Sequence, residues 1–206
     1  MTVEEKPPAV ARPPELLYHL AEADNLDSIL RHGLMSTARL LGLAGIAGSE
    51  RAKILHDHRK DGVRLPNGVL IRDQRPMPPA ALAKALDDGL VPGDWYALLN
   101  SFVFMWSDPK RMLRQREACG ERAQVLLTFD GPALLNCLGA EVFVSPFNSG
   151  NAMRKAARRG LDTLMPYATW LREGWPTGQR TRPPAEFLFR CVIPMRGPHL
   201  ADVAEI

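Results

Sequence analysis

The residues best suited to chemistry lie near the two ends of the chain. His19 sits in Tyr18-His19-Leu20, at the end of a short apolar run, and a helix signal from Asn25 to Leu34 follows at once. A histidine at a strand end with a capped helix behind it is a common way of receiving a phosphate-bearing or nucleotide-like ligand. The same pattern also fits a hydrogen-bonded structural histidine and a helix that merely covers a sheet. Near the other end, Glu186 opens the run Phe187-Leu188-Phe189, one residue after Pro183-Pro184. It is either a solvated glutamate at the edge of a strand or a carboxylate with a task. Between the two, Phe102, Phe104 and Trp106 alternate as the residues of a half-buried strand do.

These groups need elements to hold them. Pro13-Pro14 stops any upstream helix, so a strand is expected from about Leu16. Asp24 or Asn25 can cap a helix whose apolar residues Leu26, Ile29 and Leu30 share one face, with Gly33 ending it. Further helices are expected from Ser36 or Thr37 to Leu43, from Glu50 to about Arg59, and from Pro79 to Leu86. Another helix should end near Leu99 and run into the aromatic strand. Asp108-Pro109 predicts a capped helix over Lys110 to Ala118. Gln124 to Phe129 reads as a buried strand, Ala133 to Leu138 as a short helix, and Glu141 to Val144 as another strand. Asn148-Ser149-Gly150-Asn151 reads as a turn that could also line a pocket through its amides. From Pro166 to Pro184 the prolines and glycines predict a long irregular segment. Its Trp170, Trp175, Arg180 and Arg182 suit stacked bases and phosphates, or the two tryptophans anchor a surface loop.

Composition sets the outer bounds. With 206 residues, 46% of them apolar, the chain can bury one good core, and a single α+β domain is expected over residues 15–206. Residues 1–14, with Glu4, Glu5 and Lys6 among prolines, read as a flexible lead-in rather than a signal peptide. No apolar run is long enough to span a membrane, so a cytoplasmic location is expected, with no membrane partner. Cys119, Cys137 and Cys191 are too scattered for a disulfide framework or a paired-cysteine zinc site. His56-Asp57-His58 reads as a solvated helix face, so no metal is expected. The net charge of +3 permits nucleic acid, and the basic clusters Arg111-Arg114-Arg116 and Arg154-Lys155-Arg158-Arg159 can bind phosphates. No regular β-α-β rhythm and no glycine-rich phosphate loop follows a strand, which disfavours a Rossmann or P-loop enzyme.

The order Tyr18-His19-Leu20, a short polar spacer, then Asn25-Leu26…Ile29-Leu30…Gly33-Leu34 resembles the first motif of DarT-like members of the ADP-ribosyltransferase superfamily. It is also similar to that of RNA 2′-phosphotransferases. Ala185-Glu186-Phe187-Leu188 resembles the segment that carries the catalytic glutamate in DarT-like enzymes. Phe102 to Arg111 departs from that branch's middle segment, so the chain fits equally an uncharacterised bacterial family that shares only the scaffold. The resemblance implies a split, curved sheet of the ADP-ribosyltransferase type and NAD as a substrate. His19, with Tyr18 beside it, would hold the nicotinamide ribose, and Phe104 or Trp106 would stack on the nicotinamide ring. Glu186 would be catalytic, stabilising the positive charge that develops on the sugar as nicotinamide leaves. The Trp170 to Arg182 loop would face the acceptor, a DNA or RNA base or a protein side chain. The alternative from another class is a catalytically inactive nucleotide- or nucleic-acid-binding module on the same scaffold. A third is phosphate removal from RNA ends using NAD.

Overall fold

Two antiparallel sheets meet at the strand that carries His19. A computed structural model describes residues 12–153, 156–176 and 182–206, so the expected lead-in lies outside it except for residues 12–14. Strand β1 (Leu16–Glu22) pairs along its whole length with β5 (Gln124–Asp130), and β5 pairs on its other side with β9 (Leu200–Glu205). The second sheet has the order β4 (Val103–Met105), β8 (Glu186–Phe189), β6 (Val142–Ser145), β7 (Met165–Pro166). Just beyond β4, Trp106 and Tyr18 exchange both backbone hydrogen bonds, at 2.8 and 3.0 Å, which joins the two sheets. A small hairpin of β2 (Val63–Arg64) and β3 (Leu70–Ile71) stands apart. With eight α-helices around the sheets among the described residues, this is one α+β domain.

The strands follow from local pattern. In β5 the residues Val125, Leu127 and Phe129 are fully buried while Leu126 and Thr128 are less so, the period-2 signature of a sheet with one face to the core. β8 is buried at all four positions because it is central, flanked by β4 and β6. These inward faces form the largest apolar cluster, with Leu17, Met105, Val144, Phe187 and Phe189 among its members.

Helix α1 (Leu26–His32) starts where the sequence predicts, but Asn25 does not cap it. Its amide reaches instead across to β3, donating to the Leu70 carbonyl at 2.9 Å and accepting the Leu70 N–H at 2.8 Å. Gly33 does end α1, at φ +85°, and a Cβ there would stand 2.6 Å from Val192 and 2.9 Å from the Ile193 carbonyl. Glycine is therefore required twice, by conformation and by close approach. Helices α2 (Thr37–Leu43), α3 (Gly48–His56), α4 (Pro79–Ala83), α5 (Pro92–Leu99), α6 (Pro109–Ala118) and α7 (Gly131–Leu138) match the expected positions, some shorter than expected. Asp108 and Asp130 cap α6 and α7 by accepting the N–H groups of Lys110 and Ala133.

The segment before Glu186 is not irregular throughout. β7 and α8 (Tyr167–Glu173) occupy its first half. Trp170 and Trp175 are 2% and 5% exposed and pack with Tyr167 in the main core. Large aromatic surfaces gain more from burial than from presentation to solvent. Arg180 lies outside the described residues, and Arg182 is exposed, its carbonyl accepting the Trp175 indole N–H at 2.8 Å.

Candidate functional site

A cleft of about 1120 Å³ opens over the junction of the two sheets, and both His19 and Glu186 line it. Register explains the convergence. Tyr18 is opposite Trp106 and Met105 is opposite Phe187, so one residue further along the β4–β8 pairing Trp106 lies level with Glu186. Three neighbouring strands thus deliver an imidazole, aromatic rings and a carboxylate to one concavity. Phe104 and Trp106 both line it. Tyr18 is placed differently: its backbone ties the sheets together, and its ring packs against the small cluster of Leu20, Trp106, Met112 and Cys119.

His19 is locked in one tautomer. Its Nδ1 lies 2.7 Å from the Phe104 carbonyl oxygen, which can only accept, so Nδ1 carries the proton. Burial pushes its pKa down to about 4, outweighing the opposing effect of that hydrogen bond, and the positive charge of Arg72 adds to the fall. At neutral pH the ring is uncharged and Nε2 holds a lone pair, with no protein partner for it among the described residues. It can accept a hydrogen bond from a ligand hydroxyl.

Glu186 is not a solvated strand-end residue, being 2% exposed. One oxygen, Oε2, accepts from the Ser149 hydroxyl at 2.6 Å and from the Ser149 N–H at 2.9 Å. Burial raises the Glu186 pKa, while the two Ser149 bonds and then the charges of Arg111 and Arg159 act against that rise. Oε1 has no protein hydrogen bond among the described residues, so one carboxylate oxygen remains for a ligand.

The turn that supplies Ser149 is itself held from behind. Arg159, 1% exposed, donates to the carbonyls of Ser149 and Asn151 at 2.9 and 3.0 Å and lies over the rings of Trp95 and Phe147. The Trp95 indole donates to the same Ser149 carbonyl at 3.3 Å. Asn148, Gly150 and Asn151 line the cleft. Sequence pattern marked this tetrad as a turn with possible pocket amides; that its serine would hold Glu186 carried no local signal. Nor did Arg159 stand out from its basic cluster, of which Arg154 and Lys155 lie outside the described residues.

The cleft is also lined by a second buried carboxylate, one that sequence reasoning missed. Glu22, 4% exposed, accepts from Arg72 at 2.8 Å and from the Gln124 amide at 2.6 Å, with Arg122 at 3.3 Å. Arg72 also donates to Gln124. Ile29, Leu34, Met35 and Leu40 give the cleft an apolar part. His58 is not on a solvated helix face: α3 ends at His56, and the His58 ring stacks on Tyr96 with Nε2 2.9 Å from the Gln74 carbonyl. Among the described residues there is no group of three or more metal-binding side chains, and no helix is long and apolar enough to cross a membrane.

Comparison with known proteins gives a family without an activity. One family model, described as a family of unknown function, matches residues 15–200. No curated protein matches the chain.

Proposed function

The chain belongs to the DUF7002 family, and from the chemistry of its cleft we propose that it transfers ADP-ribose from NAD to a nucleophile, on a split sheet of the ADP-ribosyltransferase type. One observation carries this reading: a neutral histidine, aromatic rings and a buried carboxylate with a free oxygen come from three adjacent strands into one cleft. The join between the sheets at Tyr18 and Trp106 and the motif resemblance around His19 and Glu186 support it.

In this mechanism His19 Nε2 accepts a hydrogen bond from a hydroxyl of the nicotinamide ribose. Phe104 and Trp106 pack on the flat nicotinamide ring, and the apolar wall near Ile29 and Leu34 receives the adenine. The bond from ribose C1′ to the nicotinamide nitrogen breaks, and its electron pair leaves with neutral nicotinamide. The positive charge left on the sugar is stabilised by the Glu186 carboxylate, whose free oxygen also accepts a hydrogen bond from a ribose hydroxyl. A nucleophile on the acceptor then forms a bond to C1′ and loses its proton to Glu186 and on to solvent. The acceptor is a nucleic-acid base or a protein side chain. The protein works in the cytoplasm, without a metal.

The test is nicotinamide release from NAD by the purified full chain, beside its Glu186→Gln variant. The parent should consume NAD, and the variant should be slower by about 100-fold or more. Equal rates would remove Glu186 from the chemistry. A parent that binds NAD without consuming it would make the protein a binding module instead.

A further inference from the structure

Among the described residues, six arginines line the cleft, Arg59, Arg72, Arg75, Arg111, Arg114 and Arg122, against three carboxylates, Glu22, Asp73 and Glu186. Four of the six are engaged within the protein. Arg59 donates to the carbonyls of Ile54 and Arg72 and to the Asn100 side chain. Arg72 and Arg122 neutralise Glu22, and Arg75 pairs with Asp61 and donates to the Lys60 carbonyl. The two that remain are on α6. Arg111 has only a 4.0 Å contact with Asp108, and Arg114 is exposed, with no hydrogen bond or ion pair among the described residues.

Their spacing is the second observation. Arg111, Arg114, Gln115 and Ala118 all line the cleft, at positions i, i+3, i+4 and i+7 of one helix. That spacing usually carries the apolar stripe by which a helix packs on a core. Here α6 buries Met112 instead and turns a polar, positively charged stripe toward the cavity, about 10 Å long at 1.5 Å per residue. Guanidinium groups on a cleft wall with so little pairing of their own gain little from the protein itself. They are suited to bidentate contact with phosphate oxygens.

We infer that this face of α6 is a phosphate-binding wall, in which Arg111 and Arg114 hold phosphate oxygens of a ligand lying along the cleft and Gln115 adds a neutral donor. The inference deepens the nucleotide reading above and rests on it for the ligand class. Two sources carry the same chemistry: the pyrophosphate of the dinucleotide, or the phosphodiester backbone of a polynucleotide acceptor. Arg111 and Glu186 line the same cleft, and the Arg111 charge acts against the rise in the Glu186 pKa; Arg114 is exposed.

Binding, not turnover, tests it. ADP-ribose and, separately, a fluorescein-labelled single-stranded oligonucleotide are titrated into the parent, into an Arg111→Gln, Arg114→Gln double variant, and into Arg116→Gln. Arg116 is on the same helix but donates to the carbonyls of Ile206 and Gly120, so it controls for the loss of positive charge as such. The double variant should bind at least one probe tenfold or more weakly, and Arg116→Gln should match the parent. If the strand is the affected probe, the slope of log affinity against log salt should fall by about 0.7 for each phosphate that is no longer neutralised. Loss for ADP-ribose alone assigns the wall to the dinucleotide, and loss for the strand alone assigns it to the acceptor. Unchanged affinity for both probes, an equal loss in Arg116→Gln, or a parent that binds neither probe overturns the inference. Because nicotinamide release is not the readout, an inactive chain that still loses phosphate affinity in the double variant would sink the transferase reading alone.

Discussion

Glu22 and Glu186 are both buried carboxylates lining one cleft, yet their surroundings differ in kind. Glu22 has arginines on two sides and an amide on its second oxygen, so its charge is balanced and both oxygens are occupied. Glu186 has no ion pair within 4.0 Å among the described residues, and a single serine holds one of its oxygens. A buried charge without a partner is costly, and proteins keep such groups chiefly where their perturbed state is used. The contrast separates a carboxylate that holds the structure together from one left open to a ligand.

The comparison breaks most visibly if the two glutamates are neutralised in turn. Glu186→Gln should leave the fold intact, because glutamine can still accept from Ser149, and should lower nicotinamide release by about 100-fold or more. Glu22→Gln should do the reverse. Removing one partner of a fully buried pair costs about 3–5 kcal/mol, and here Arg72 and Arg122 keep some exposure to water. A loss of about 2–3 kcal/mol in denaturant unfolding is expected, with kcat little changed in the folded fraction. If Glu22→Gln abolished turnover at full stability while Glu186→Gln did not, the assignment of roles would be inverted.

The two carboxylates were not equally visible in the sequence. Glu186 stood out as the one charged residue opening an apolar, aromatic run, and because Ala185-Glu186-Phe187-Leu188 resembles a known catalytic segment; spacing alone fitted a solvated strand-edge glutamate as well. Glu22 closes its own strand without any such contrast, and its partners Arg72 and Gln124 lie 50 and 102 residues away. Pairing over that distance leaves no periodicity to read. Local signals likewise placed β5, the proline-led α6 and the glycine stop at Gly33. They missed β9, whose mixed residues Leu200 to Glu205 become a strand only because β5 offers an unpaired edge. They left open whether Trp170 and Trp175 face a ligand or anchor their loop, since aromatic residues among prolines and glycines look alike in both cases; burial in the main core fits the anchoring alternative. Ser149 belonged to a turn by composition, and only the packing of Arg159 beneath that turn aims it at Glu186.

Proton linkage sharpens the contrast, because the site histidine and the site glutamate are shifted in opposite directions. His19 stays neutral in the folded protein down to about pH 4, whereas an unfolded histidine takes up its proton near 6.5. Its contribution to stability is therefore present above about pH 6.5 and lost as pH falls toward 4, by at most about 3.5 kcal/mol at 1.4 kcal/mol per pH unit. His19→Gln should flatten that part of the stability curve, measured by urea unfolding between pH 4 and 7. Glu186, raised by burial, runs the other way. Its contribution is greatest below the pKa of an unfolded glutamate and is lost as pH rises through its folded value. Turnover that needs the carboxylate should accordingly rise with pH through a limb above the usual glutamate range. An acid limb at or below that range would contradict the buried, unpaired state of Glu186.

Ser149→Ala gives the smallest effect and the finest test of how Glu186 is held. The change removes the 2.6 Å hydroxyl bond but keeps the N–H bond at 2.9 Å, since the backbone turn is fixed by Arg159. A hydrogen bond to a charged group is worth about 1.5–3 kcal/mol when nothing replaces it, and here the second donor and cleft water compensate in part. Nicotinamide release should fall by roughly tenfold, and because a bond to the ionised form is removed, the acid limb should move to higher pH. Arg159→Met removes the support rather than the bond, so the turn loosens and both Ser149 bonds weaken together. A fall in rate without any movement of the limb in Ser149→Ala would mean that Ser149 positions Glu186 without tuning its charge, and Glu22, with its fixed ring of partners, would then differ from Glu186 in occupancy alone.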